Sequence, residues 1–235
     1  MLKKILLKLI KPLIGARSYS QAGEDRILAF LFDTMGIRNI SYLDIGANHP
    51  EICNNTYLFY RRGSKGILIE PDPAFNTELQ KARPGDKVVQ AAISDNGTGE
   101  ADFYIFNEPS INTLSKEEAI IRQQSGKYYI KETKKIQLLT VEKIIADHMN
   151  NTTPHLISLD VEGVDYDVLS AFDFVNYPVP VWVIETCEYS ENHIKPKITS
   201  IIDLMQTRGY FIYADTYINT IFVNREWFDN YKNKS

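Results

Sequence analysis

The sequence predicts an α/β fold, a Rossmann-like sandwich on a mostly parallel seven-stranded sheet with a C-terminal antiparallel hairpin. Three observations predict it. Short runs at 40–45, 66–70, 88–93, 156–160 and 181–185 are apolar on both faces and bounded by Gly, Pro, Asn or Asp. Helical stretches at 25–35, 73–81, 141–148, 166–172 and 197–208 alternate with them, the alternation that covers a parallel sheet on both sides. Two last runs, 210–214 and 218–223, are joined by a short turn and therefore pair antiparallel. A chain of 235 residues buries a core of its own without disulfide or metal staples.

The N-terminal element stands apart from that pattern. In residues 1–14, Leu2, Ile5, Leu6, Leu9, Ile10 and Leu13 recur at steps of three and four with lysines between them, an amphipathic helix. Lysines interrupt it too often for a bilayer span, which needs about 20 apolar residues. Lys8 and Lys11 also break the apolar region that a signal peptide requires. Two readings stay open: it lies on an anionic membrane surface or a partner, or it packs on its own domain or a sister subunit as part of a homodimer. Lys3, Lys4, Lys8, Lys11 and Arg17 precede the first acid, Glu24, so a basic tip (1–17) sits on an acidic domain (18–235). The net charge of -4 argues against general nucleic-acid binding. Two cysteines, Cys53 and Cys187, imply no disulfide framework and point to the reducing cytoplasm.

The first strand ends in Asp44-Ile45-Gly46-Ala47-Asn48, an acid followed by a glycine turn. Ligands of open α/β sheets bind beyond the carboxyl ends of the strands, where strand order reverses, and a glycine there lets backbone amides approach. The next strand ends in Glu70, placed where a ribose-binding carboxylate belongs. The plainer reading makes Asp44 a helix cap and Glu70 a solvated strand end. The turn has Gly46 but not the three glycines that cradle a pyrophosphate, which disfavours NAD. A nucleoside without phosphates fits better, S-adenosylmethionine being the common one. The third strand runs into Ser94-Asp95, its end expected beside the adenine, where backbone groups or Asp95 are placed to read the ring edge. The polar stretch 107–135 is too long for a plain connection and reads as a lid or substrate loop.

Asp44 to Pro50, Asn55-Thr56-Tyr57, Gly66 to Pro73, Asp160-Val161-Glu162-Gly163 and Ser20 to Asp25 together resemble FkbM-type methyltransferases, from about Ser18 to Val223. The resemblance implies a class I S-adenosylmethionine-dependent O-methyltransferase acting on sugars or natural products. It implies that Asp44, Gly46 and Ala47 line the methionine portion, and that Glu70, with Pro71 beside it, takes the ribose. It places Ala92 and Ile93 against the adenine, and has Gln21 and Glu24 close over the cofactor.

Methyl transfer to a hydroxyl needs in-line geometry and removal of a proton. Asp160 and Glu185 end the fourth and fifth strands and are expected to face the methyl group. Neighbouring carboxylates repel unless a proton or a cation is shared, so Mg²⁺ or Mn²⁺ held by Asp160, Glu185 and Glu162, with Glu188 or His193 beyond, is one reading. In the other, Glu162 caps the following helix and Asp160 only touches the cofactor's ammonium. His49 and His193 are candidate bases, with pKa values near neutrality when unperturbed; as loop histidines both also fit a merely solvated role. Ser110, Asn112 and Thr113, with Asn55 and Thr56, are candidates to hydrogen-bond a polyol acceptor. The family's range and the cytoplasmic reading point to a nucleotide-linked sugar for surface polysaccharide. A catalytically silent scaffold of the same fold, docked through its N-terminal helix, is the alternative.

Overall fold

The computed structural model describes residues 17–161, 163–187 and 196–232, with every side chain among them except those of Ser110 and Lys232. The amphipathic segment 1–14, Glu162, Glu188 and His193 lie outside the described residues. The elements run α1 (Glu24–Thr34), β1 (Ser41–Ile45), α2 (Tyr57–Arg61), β2 (Lys65–Ile69), α3 (Pro73–Ala82), β3 (Lys87–Val89), β4 (Ala92–Ile93) and β5 (Glu100–Phe106). A 3₁₀ turn (Pro109–Ile111) follows, then α4 (Lys116–Gln124), β6 (Ile130–Leu139), α5 (Val141–Met149), β7 (Leu156–Leu159) and α6 (Asp165–Ala171). The chain closes with β8 (Val181–Glu185), α7 (Thr199–Thr207), β9 (Tyr210–Asp215), β10 (Asn219–Asn224) and α8 (Arg225–Lys232).

Seven strands form the main sheet in the order β3-β2-β1-β7-β8-β10-β9, and β10 runs antiparallel to both its neighbours. The expected seven-stranded sheet with its reversed hairpin is therefore present. Because side chains alternate across a strand, each strand feeds two cores. Leu43, Ile67, Ile69, Trp182 and Ile184 face α5, α6 and α7. Tyr42, Leu68, Val181 and Val183 face α1, α2, α3 and α8. Among the described residues no helix is long and apolar enough to cross a membrane.

Two expectations are corrected. The run 88–93 is not one strand. It breaks after Val89: β3 stays in the main sheet beside β2, while β4 pairs with β6 in a second, three-stranded sheet of order β4-β6-β5. The stretch 107–135 carries regular structure rather than loop, namely the 3₁₀ turn, α4 and the first part of β6. The second sheet is stitched to the main core by alternation. Ile93 and Leu139 face the large core, whereas Ala92 and Leu138 face a small one with Phe103 and Ile136.

Gly66 in β2 lies directly under the Tyr42 ring, and a Cβ built there would fall on that ring and on the Tyr42 carbonyl oxygen. Gly66→Ala is expected to destabilise the fold by about 1–3 kcal/mol, as overpacking does, read as a fall in the urea midpoint with an unchanged slope.

Candidate functional site

Strand order reverses between β1 and β7, so their carboxyl ends part to leave a crevice. Gly46 closes its floor. Its φ is 78°, and a Cβ there would fall on the Asp160 carbonyl oxygen, so close approach and backbone conformation both demand glycine. The turn is tied to both neighbouring strands: the N–H groups of Gly46 and Ala47 donate to the Ile69 carbonyl at 2.9 and 3.1 Å, and that of Asp160 donates to Ile45 at 3.1 Å.

From this floor a cavity extends over the ends of β2 and β4. Gly46, Asn48, Glu70, Pro71, Ala92, Ile93, Asp160 and Val161 line it, and Phe75, Phe103 and residues 112–114 close the far end. Glu70 is the buried acid of this cavity. One carboxylate oxygen accepts from the Asn48 N–H at 2.9 Å, the other from the Asp72 N–H at 2.8 Å. Burial pushes its pKa up to about 7 against the pull of those two N–H groups, with Asp72 and Asp44 adding to the rise. A carboxylate offers about four acceptor sites. Those not taken by Asn48 and Asp72 match a pair of ribose hydroxyls.

Asp44, expected beside the methionine portion, has its carboxylate elsewhere. The period of the strand turns it to the Tyr42 face, where it accepts from Thr56 Oγ1 at 2.6 Å and Asn54 Nδ2 at 3.1 Å, with the Arg83 guanidinium at 3.9 Å. Burial raises its pKa, and Arg83 opposes that rise. Arg83 is fully buried and also donates to Asp86, Tyr42, Thr56 and Asn54. Thr56, expected to contact an acceptor, is sealed inside this network. Asn55 bonds Ser158 through Nδ2 at 3.1 Å and keeps a buried Oδ1 without a partner.

The other expected residues divide. Ala47, Ala92 and Ile93 are buried at the crevice or cavity wall. Asp160 is exposed at the rim and Glu185 half-buried at the end of β8. Asp165, which the sequence reading passed over, faces Glu185. It accepts from Val161 N at 3.2 Å and Gly163 N at 3.3 Å, and its pKa rises to about 6 through burial, partly offset by the Val161 N–H, with Glu185's charge adding to the rise. Among the described residues no three metal-ligating side chains cluster. His49 accepts from Glu51 N and Ile52 N through Nδ1. That ring nitrogen is thereby occupied and the proton is left to Nε2, so here His49 caps a turn. Glu24 is buried against the hairpin. Burial opposes its charge, but bonds from Thr216 Oγ1, Asn219 Nδ2 and Ala22 N hold its carboxyl below the usual range. Gln21 is exposed. Asp95 is exposed too, and turns back onto Asn96 N. Asn112 and Thr113 do line the cavity, beside the residues expected at the cofactor. The backbone of Ser110 precedes them within the 3₁₀ turn.

The family model described as the methyltransferase FkbM domain matches residues 44–212. No curated protein matches the chain in sequence. Among solved structures, a TehB-like SAM-dependent methyltransferase from Corynebacterium glutamicum is 11% identical, with 95% of this chain and 97% of that one covered and a TM-score of 0.42. The 1,6-didemethyltoxoflavin-N1-methyltransferase of Burkholderia thailandensis, solved with S-adenosylhomocysteine, is 11% identical over 94% and 88% at 0.41. The magnesium protoporphyrin IX methyltransferase of Synechocystis, solved with SAM, is 8% identical over 94% of each chain at 0.40.

Removing the Arg83 guanidinium strands Asp86 in the interior. Arg83→Ala is expected to cost about 3–5 kcal/mol, as breaking a buried pair does, whereas Arg62→Ala, at the exposed pair with Asp33, costs under about 1 kcal/mol. Urea unfolding of both variants separates the two cases.

Proposed function

The chain belongs to the FkbM methyltransferase family, and from that premise we propose that it transfers the methyl group of S-adenosylmethionine to a hydroxyl of a sugar, a nucleotide-linked one destined for surface polysaccharide. The observation that carries the cofactor part of this reading is Glu70, a buried carboxylate with acceptor sites to spare in the wall of a cavity floored by Gly46; the acceptor part rests on the range of the family. Both features suit an adenosyl group bearing free ribose hydroxyls and no pyrophosphate. When bound, the cofactor supplies an electrophilic methyl group on a sulfonium.

The chain's own residues do the rest. Gly46 admits the ligand to the crevice between β1 and β7, and Glu70 fixes its ribose. The acceptor oxygen approaches at the rim formed by Asp160 and Glu185. Its proton passes to a rim carboxylate. Asp160 and Glu185 are also the described members of the expected Mg²⁺ or Mn²⁺ set, whose third member, Glu162, is not described.

Ribose hydroxyls donate to the ionised form of Glu70. Below about pH 7 the free protein holds that group protonated, so binding must release a proton. S-adenosylhomocysteine affinity is expected to rise with pH, by up to about tenfold per unit for one proton, and to level off above pH 7. Calorimetry in buffers of different ionisation enthalpy checks the proton release. Glu70→Gln is expected to flatten the profile and weaken binding by about 1.5–3 kcal/mol.

The acceptor is tested by incubating the protein and S-adenosylmethionine with a panel of sugar nucleotides and following S-adenosylhomocysteine release. Turnover with at least one member is expected. Binding without turnover on any hydroxyl acceptor would remove the sugar reading and leave the cofactor reading standing. Loss of turnover in EDTA with recovery on Mg²⁺ or Mn²⁺ would assign the rim carboxylates to a metal; full turnover in chelator would assign them to the proton alone.

A further inference from the structure

We propose that Asn112 reads the base of the cofactor, and that Asp72 and the Phe106 N–H lock its carboxamide in the orientation that selects adenine over hypoxanthine; this rests on the cofactor reading above. With the ribose at Glu70 and the reacting end at Gly46 and Asp160, the base lies at the opposite end of the cavity. There Phe75, Ile93, Phe103 and Leu114 offer apolar surfaces for the faces of a flat ring. The polar edge of that ring needs a partner. Asp95, the expected reader, is turned to Asn96 N at 2.8 Å. Thr113 Oγ1 already donates to Glu118 and accepts from Ser115 N. Asn112 remains.

Its carboxamide is held at both ends. Oδ1 accepts from the Phe106 N–H at 2.8 Å, and Nδ2 donates to Asp72 Oδ2 at 2.9 Å. An amide carries two N–H groups and two carbonyl lone pairs, so one donor and one acceptor remain. Such a pair is the complement of an adenine edge, which offers the N6 amino donor beside a ring-nitrogen acceptor. A free carboxamide is ambidextrous: turned over, it would serve the O6 acceptor and N1–H donor of hypoxanthine equally well. Here turning over would set Oδ1 against the Asp72 carboxylate and Nδ2 against the Phe106 N–H, two repulsive pairings. Asp72 is itself fixed, since its Oδ1 caps α3 by accepting from Ala74 N at 2.8 Å. Asp72 therefore acts as a positioning residue and Asn112 as the specificity residue.

The test compares S-adenosylhomocysteine with S-inosylhomocysteine by calorimetry. The unsubstituted protein is expected to prefer the adenosyl compound at least about tenfold, the worth of one good bidentate contact. Asn112→Ala is expected to abolish the preference. Asp72→Ala frees the carboxamide to turn, so inosyl affinity is expected to rise while adenosyl affinity changes little. The exchange Asp72→Asn with Asn112→Asp keeps a hydrogen bond between the two positions and a good cap on α3, so it guards against a variant that fails to fold. It replaces the donor at 112 by an acceptor and is expected to lower adenosyl affinity about tenfold or more. An unchanged preference in Asn112→Ala, or equal losses for both ligands in every variant, would overturn the assignment while leaving the cofactor reading intact. Failure of the unsubstituted protein to bind either ligand would overturn both.

Discussion

The guanidinium of Arg83 is the fixed point of this fold. It is fully buried, and a buried charge is tolerated only when paired and hydrogen-bonded. Asp86 supplies the charge at 2.8 Å, Tyr42, Thr56 and Asn54 supply oxygen acceptors, and the rings of Tyr42, Tyr57 and Tyr60 lie 5.3–5.8 Å from its carbon. Apart from Asp86, which precedes β3, those partners come from β1, from the segment that follows it and from α2. Asp86 then accepts from Gly66 N in β2. One side chain thus registers β1 against β2 and anchors the far end of residues 46–56. The near end is anchored separately, by Gly46, Ala47 and Asn48 to the end of β2. A segment fixed at both ends holds the crevice floor without needing a ligand to shape it.

The same economy governs the acids. The chain carries 30 Asp and Glu, and among the described residues Glu24, Asp25, Asp44, Glu70, Asp72 and Asp165 are buried as acceptors for different parts of the frame. Asp44 serves the Arg83 network, Glu24 joins α1 to the hairpin, and Asp25 binds Ser18, Tyr19 and Ser20. Asp165 ties Val161 and Gly163 to α6, and of these Glu70 alone opens into the cavity. The titration of Glu24 and Glu70 follows their donors. Glu24 has several close donors and is held low, while Glu70 has two backbone N–H groups and two acid neighbours and is pushed up. The cavity acid is therefore the one whose charge a ligand can complete.

What the sequence reveals here follows from periodicity. Strands buried on both faces read as unbroken apolar runs, so the main sheet, its order of elements and Glu70 at a strand end were legible. β5 and β6 were not: Lys131, Glu132, Lys134 and Lys135 mark β6 as a charged, half-exposed ribbon that reads as loop. The run 88–93 hid a break because both sides of Gln90 are apolar, although they belong to different sheets. Asp44 is hard to place from the sequence because the strand end reads as a unit. The twofold alternation that set Tyr42 on one face sets Asp44 there too, and Arg83, some forty residues on, gives no local sign of waiting for it. Asn112 lay in a polar stretch with nothing to say which end of a cavity it would meet.

That missing sheet changes how the cavity is bounded. The wall at Gly46, Glu70 and Asp160 belongs to the large sheet, and the wall at Phe103 and residues 112–114 belongs to the small one. The two are sewn together by the alternation of β4 and β6 and by the Asn112–Asp72 bond across the cavity's far end. A ligand spanning both walls adds its own contacts to that seam. Since such a ligand binds only where the walls are correctly spaced, it stabilises their association by mass action, and on the proposed reading the group that fixes the spacing also recognises the base. On the proposed reading, the reacting end then rests on the large sheet, whose frame Arg83 anchors, and the base rests on the wall that Asn112 shares with Phe103.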